Sequence, residues 1–460
     1  MCRIHVQILI IMIHFVSIIY LYINYIIVLD SMFLNISLKN FMSFKDIDVS
    51  FGDTSPLNYA LFYGENGAGK TNLIQSISFL RESATTLKAE KIIRKSTPVE
   101  KIEAIPIPNL SDLCTEVKTS GSTENMLTHY EMIVGNSKAI YEMEFANNTL
   151  IHEMLKVKLN KKIGILFDIN SNDGSIDKYL SKELISNPDF KEKISEKIDS
   201  LWGRHSFLAI LNREYLDNNQ KYLDDRIHKV KDVITYIEAI GINVKPIVSD
   251  LRLCRYSFSG DLEYGIVKDD DLAALDAYGK ALRRFFRRIY HNVTDVYYAK
   301  TPVENGNRYD LIFSRKLNGA IVNIPSVRES FGTRKLVQMF QVLVGCASGQ
   351  VAFIDEIDSG IHDKLIQDLL PQVLKDTDGQ LIITTHNTGL LKSVSPKNVF
   401  IIDIDAEGYK KISKFSSEIR TMANNNNQNR YLNNAVGGVP FIGNVDLKSI
   451  AEELKSDLVV

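Results

Sequence analysis

Apolar and polar positions alternate in two short stretches near residue 40. These are Leu34, Ile36 and Leu38, then Ile47, Val49 and Phe51. A period of two predicts half-buried strands, here joined by a turn at Asn40–Lys45. A third apolar run, Tyr59–Tyr63, enters a glycine-rich stretch, and beyond it Leu73, Ile74, Ile77 and Leu80 recur at helical spacing. Alternation returns at Tyr130–Ile133, Ile140–Phe145, Met154–Leu159 and Ile163–Ile169, with turn residues at Asn147-Asn148 and Asn160–Lys162. That predicts an antiparallel meander. Helical periods follow over Pro188–Trp202, Asn218–Ile240 and Asp269–Val293, none with heptads long enough for a coiled-coil arm. Val351–Ile354 and Leu381–Thr385 are continuous apolar runs, as expected of strands covered on both faces of a parallel sheet. Helices are predicted before the first of these (Leu336–Val344) and between them (Asp363–Thr377, with a kink at Pro371).

The candidate chemistry sits at the ends of these runs. After Tyr63 the chain reads Gly64, Glu65, Asn66, Gly67, Ala68, Gly69, Lys70, Thr71, Asn72. This is GxxxxGK[ST] in a strand–loop–helix setting, the context that gives the match its meaning. The glycines let the backbone curl round a phosphate chain, whose charge meets successive N–H groups and a helix amino terminus. Lys70 then reaches the β- and γ-phosphates and Thr71 takes a place on Mg²⁺. The run at 351–354 ends in Asp355-Glu356, and that at 381–385 ends in His386. Two carboxylates at the end of such a strand suit Mg²⁺ binding and activation of a water. A histidine beside them suits contact with the γ-phosphate. Between them, Glu329-Ser330-Phe331-Gly332-Thr333 opens a helix and offers a second small anion nest.

This set of motifs resembles the ABC-type ATPase heads of the SMC and RecF group. More narrowly it resembles the stand-alone AAA ATPases of bacterial anti-phage and abortive-infection systems, often described as "ATPase/GTPase". Arg430-Tyr431-Leu432 with Gly437-Gly438-Val439-Pro440 is similar to that group's carboxyl-terminal pattern, and Asn40–Phe44 to its first loop, near the nucleotide base. The resemblance covers roughly 32–80 and 305–445 well. It implies an α/β P-loop head, a mixed sheet with flanking helices, carrying an antiparallel β and helical insertion. It implies ATP and Mg²⁺ as ligands, with Lys70 and Thr71 on phosphates and metal and Asp355 as the metal carboxylate. Glu356 becomes the catalytic base and His386 the switch histidine. Ser330 and Gly332 become a signature that completes ATP bound to a second subunit. In SMC heads an Asp usually stands where this chain has His362. A homodimer or higher homo-oligomer through ATP-engaged heads is implied, as is a sensor or regulator role beside an effector nuclease or toxin. A RecF-type DNA-repair clamp and a non-hydrolysing ATP-binding scaffold are the rival readings.

Composition limits these options. With 45% hydrophobic and 24% charged residues over 460 positions, a large core can be buried. A net charge of −2 gives no global field for nucleic acid, so such contact needs a local patch. Lys280, Arg283, Arg284, Arg287, Arg288 and His291 share one helical arc opposite Leu282, Phe285, Phe286 and Ile289. That face reads as a solvated surface or as a DNA-backbone contact. Cys2, Cys114, Cys254 and Cys346 form no CxxC, which argues against a disulfide framework or zinc site and for a reducing, cytoplasmic setting. Residues 4–29 carry no Asp, Glu, Lys or Arg. They read as translated sequence upstream of a start at Met32 or as a single-pass membrane anchor. The expected organisation is an apolar segment (1–31), a first head half with meander (32–180), a compact helical lobe (181–304) and a second head half (305–460). Asn424–Asn427 is expected to loop out.

Overall fold

The computed structural model describes residues 31–96, 108–159, 162–172, 174–217, 229–243, 261–416, 427–440, 446–448 and 450–451. The alternating stretches near residue 40 form an antiparallel pair, β1 (Met32–Phe41) and β2 (Phe44–Ser50), and the apolar run forms β3 (Tyr59–Tyr63). Helices α1 (Lys70–Ser83), α2 (Thr86–Ser96) and α3 (Leu110–Val117) follow. The meander is longer than its alternation suggested: β4 (Met126–Val134), β5 (Ser137–Ala146), β6 (Thr149–Leu159), β7 (Lys162–Asn172) and β8 (Ser175–Leu180). Together with β1 and β2 it makes a 7-stranded antiparallel sheet in the order β2-β1-β4-β5-β6-β7-β8.

Next come α4 (Pro188–Leu201), α5 (Phe207–Asp217), α6 (Val230–Glu238) and β9 (Gly241–Asn243). After these lie β10 (Tyr264–Val267), α7 (Leu272–Ile289), β11 (Val293–Val303), β12 (Gly306–Leu317) and β13 (Ala320–Pro325). The chain then runs through α8 (Phe331–Ala347), β14 (Val351–Ile354), α9 (Asp363–Lys375), β15 (Gln380–Thr384), β16 (Val399–Ile404), β17 (Lys410–Lys414) and α10 (Asn427–Leu432).

The central sheet has the order β17-β16-β3-β15-β14-β9 and is parallel except for β17. Leu381 pairs with Tyr59 and Val351 with Gln380, so both ends of the chain share one sheet. Parallel register puts the carboxyl ends of β3, β14 and β15 on one edge. All three strands are followed there by the chemistry-bearing motifs.

Two cores sandwich this sheet. One lies against the 7-stranded sheet, where Phe33 and Phe353 meet edge to face at 5.4 Å between centroids. Gln380 stitches the layers: its amide accepts from Phe33 N–H at 2.8 Å and donates to the carbonyls of Phe33 at 3.0 Å and Leu57 at 3.1 Å. The other core packs α7, α8 and α9 with the hairpins β11–β13.

Several expectations change here. The described helices between 181 and 304 do not share one core, for α4, α5 and α6 pack with the first and α7 with the second. The helix expected over Asn218–Ile240 is described from Val230 only, residues 218–228 lying outside the described ones. The turn residues 160 and 161 and residues 424–426 also lie outside, and Asn427 begins α10. The helix expected over Asp269–Val293 begins at Leu272, after a 3₁₀ turn, and stops at Ile289 because Val293 enters β11. Cys114 and Cys346 are buried thiols. No helix among the described residues is long and apolar enough to cross a membrane, and residues 4–29 lie outside them.

Two polar features fasten the meander. Glu153 is fully buried on β6 yet accepts from Tyr141 Oη, Trp202 Nε1, Phe207 N–H and Leu208 N–H, thereby anchoring the start of α5. Across the sheet, His129 Nδ1 lies 2.8 Å from Glu142, and His152 Nε2 lies 3.1 Å from Asp168. The Glu142 bond raises the His129 pKa, and His129 lowers that of Glu142. Stability from a raised histidine is full below its unfolded value of about 6.5 and is lost as pH rises through the folded value. Stability from the lowered glutamate is present above about 4.3. His129→Gln should therefore unfold at lower urea than wild type at pH 5.5, with the gap narrowing at pH 8.5. Equal gaps at both pH values would remove the ion pair from the explanation.

Candidate functional site

The turn from β3 into α1 is held by close packing. Gly69 has φ +103°, and a Cβ there would meet the Phe44 ring at 2.9 Å. Only glycine allows both the left-handed backbone and this contact. Lys70 is almost fully buried, and its Nζ donates to the carbonyls of Gly64 at 2.8 Å and Glu65 at 2.9 Å. Burial lowers its pKa, opposed chiefly by Asp355, then Glu356 and Asp358. The amine therefore lies under the loop with acidic groups near it. Asn72 donates to Ser43 Oγ at 2.5 Å and so ties the first loop to α1.

Residues 284 positions apart meet at this edge. Thr71 Oγ1 donates to Asp355 Oδ2 at 2.7 Å, while Thr384 Oγ1 donates to Asp355 Oδ1 at 2.5 Å. Glu356 has φ +41°, uncommon outside glycine. Its N–H bonds Thr384 Oγ1 at 2.7 Å, and its carbonyl accepts from Lys335 Nζ at 2.5 Å. The loop thus turns sharply after Asp355. His386 N–H lies 3.3 Å from Asp358 Oδ2. Burial first, and Lys70 second, lower the His386 pKa, so the imidazole is neutral near pH 7. Asp358 also leaves its buried Oδ1 without a hydrogen-bond partner.

A hydroxyl and a carboxylate oxygen in contact are hard donors that suit Mg²⁺. Among the described residues no group of three or more His, Cys, Asp or Glu could cage a metal. A two-ligand site matches an ion that keeps waters and substrate oxygens. Bound there, Mg²⁺ would neutralise phosphate charge, held by Thr71 and Asp355.

Ser330 caps α8, its Oγ accepting from Thr333 N–H at 3.2 Å. Gly332 is tight against the loop after β14, where an added Cβ would meet the Gly360 carbonyl at 2.5 Å. Two forked ion pairs clamp this turn. Arg315 meets Glu329 at 2.7 and 2.8 Å, and Arg334 meets Glu263 at 2.8 and 2.9 Å. Phe331, between Ser330 and Gly332, is 64% exposed. No hydrogen bond among the described residues joins Ser330 or Gly332 to Gly64–Thr71. The structure therefore gathers Gly64–Asn72, Asp355, Glu356 and His386 at one sheet edge and leaves Ser330 exposed on a turn whose helix reaches that edge through Lys335 and Gly332. His362 is the cap of α9, its Nδ1 accepting from Lys364 N–H at 3.1 Å.

Several contributors escaped the sequence reading. Thr384, Asp358 and Lys335 touch the site, and Arg315, Glu263 and Arg334 set the Ser330 turn. Asp358 stands two positions after Glu356, and Thr384 stands inside the run at 381–385, so nearness in sequence to a motif was the available signal. The arginine–glutamate pairs bridge 14 and 71 positions and leave no local pattern.

A parallel sheet carrying a glycine loop, a carboxylate pair and a histidine at one edge, flanked by an antiparallel sheet, defines an ABC-type P-loop head. The profile described as "AAA domain, putative AbiEii toxin, Type IV TA system" (AAA_21) matches residues 60–392. The chain belongs to that family, whose members carry a P-loop ATPase domain. No curated protein matches the sequence. Among solved structures, it is similar to an SMC head bound to the C-winged helix domain of ScpA, with 13% identity and a TM-score of 0.43, covering 83% of this chain and 96% of that one. The SMC head domain from Thermotoga maritima matches at 12% identity and TM-score 0.36, covering 85% and 99% respectively. An SMC head with an extended coiled coil, bound to the C-terminal domain of ScpA from Pyrococcus furiosus, matches at 14% and 0.35, covering 83% and 96%.

Proposed function

We propose that the protein binds and hydrolyses Mg-ATP and uses the nucleotide to bring two heads together. The observation that carries this is the Thr71–Asp355 contact at 2.7 Å, with Lys70, Glu356 and His386 around it and Ser330 on an exposed turn. Lys70 and the loop N–H groups hold the β- and γ-phosphates. Thr71 and Asp355 hold the metal. Glu356 takes the proton of the attacking water, and neutral His386 donates to the γ-phosphate without adding charge. Ser330 and Gly332 of a second chain complete the pocket, so ATP favours the closed dimer by its extra contacts there and hydrolysis releases it.

The chain acts in anti-phage defence as the sensor or regulator of an effector nuclease or toxin. A direct DNA-clamp role has one observation in its favour: Lys280, Arg284, Arg287, Arg288 and His291 form an exposed basic face on and beside α7, where Arg283 is paired with Asp295 at 2.9 Å.

Ser330→Arg tests the dimer. A long cation on the exposed turn should leave ATP bound to single heads yet stop ATP from raising the sedimentation coefficient. Undiminished ATP-dependent association of that variant would contradict the role given to Ser330.

A further inference from the structure

The first loop was expected to lie near the nucleotide base, yet it offers no open ring. Phe41 and Phe44 are both fully buried, Phe44 beneath Gly69. Adenine needs a flat apolar surface next to the phosphate loop, because stacking is how proteins hold a base without reading its edge. Such a surface stands on the turn between β16 and β17. Strand β16 runs parallel to β3, with Ile401 beside Tyr63, so the turn beyond Ile404 emerges at the P-loop edge. That turn is rigid. Asp405 N–H donates to the Tyr409 carbonyl at 2.9 Å, and Tyr409 N–H donates back to Asp405 Oδ1 at 2.7 Å. The next residue, Lys410, donates its ammonium to the Gly67 carbonyl, fastening the turn to the glycine loop itself. Tyr409 is 49% exposed, and Lys45 Nζ stands 4.9 Å from its ring centroid. Lys45 follows Phe44, whose ring packs on Gly69, so the lysine, the tyrosine and the loop converge at one corner.

We propose that Tyr409, backed by Lys45, is the stacking platform for the purine base of the bound nucleoside triphosphate. The assignment rests on the P-loop reading above. It deepens that reading by placing base recognition on the β16–β17 turn in place of the first loop. A ring already carrying a cation on one face is electrostatically suited to a base on the other. The platform adds affinity without discriminating by hydrogen bonds.

The test compares ATP with inorganic tripolyphosphate, which shares the phosphate chain and lacks the base, by calorimetric titration of the full chain. Wild type should bind ATP more tightly than tripolyphosphate. Tyr409→Ala should weaken ATP roughly tenfold or more and leave tripolyphosphate unchanged, and Tyr409→Phe should keep wild-type affinity for both. Equal binding of the two ligands by wild type, or an unchanged ATP affinity in Tyr409→Ala, would overturn the platform while leaving the P-loop reading intact. So would equal weakening of both ligands, since Tyr409 would then act through the loop. Wild type that binds neither ligand would overturn the P-loop reading and the platform with it.

Discussion

Lys70→Ala should lose ATP affinity by at least about a hundredfold while keeping its fold. Hydrogen bonds to charged groups are worth about 1.5–3 kcal/mol each, and the ammonium is placed to make more than one. Its present partners, the Gly64 and Glu65 carbonyls, hold the amine under the loop at a cost visible in its lowered pKa. A buried cation kept against desolvation is there for an anion. ATP should raise the thermal midpoint of wild type, as any ligand of the native state does, and leave that of Lys70→Ala unmoved. Equal ATP-induced shifts in both proteins would show that the triphosphate is held elsewhere.

The second large effect belongs to Glu356. Glu356→Gln should bind ATP as wild type does and lose about two to four orders of magnitude in turnover, the range for removing a general base. What positions this residue is its main chain, through Thr384 and Lys335, and an amide leaves both bonds in place. Asp355 serves the metal in this proposal, its oxygens held in place by Thr71 and Thr384. The variant should accumulate as an ATP-bound dimer, because release depends on hydrolysis. Phosphate release at the wild-type rate from Glu356→Gln would remove Glu356 from the chemistry.

The two predictions draw on what the sequence shows best. A glycine loop between strand and helix, and an acidic pair closing an apolar run, are local patterns dictated by local geometry, and both fall where expected. The hairpins at β11–β13 were also written locally. Tyr309, Leu311 and Phe313 alternate, and Asn318-Gly319, with φ +48° and +84°, forms the two-residue turn between β12 and β13. They carry no candidate chemistry, so nothing in the motif pattern singles them out. Helix α5 was hidden for a different reason: Phe207, Leu208, Ala209, Ile210, Leu211, Asn212 and Glu214 are all buried. A helix covered nearly all round has no amphipathic period to detect. Glu153 under its first turn, the two arginine clamps of the Ser330 turn and the Tyr409–Lys45 pair are encounters between distant segments. Those follow from sheet order and register, which no short window contains.

The position of Ser330 is the point on which the switch depends. Within one chain no hydrogen bond among the described residues joins its exposed turn to the glycine loop, and in the proposed dimer it serves the partner's pocket. Mixing Lys70→Ala and Ser330→Arg chains, each inactive by itself, measures this directly. A composite site gives the mixed dimer one intact pocket, built from the wild-type loop of one chain and the wild-type signature of the other. Turnover should reappear in the mixture, up to about half of wild type, because a mixed two-fold dimer holds one intact pocket of its two. A mixture as inactive as its components would show that each pocket is completed within its own chain.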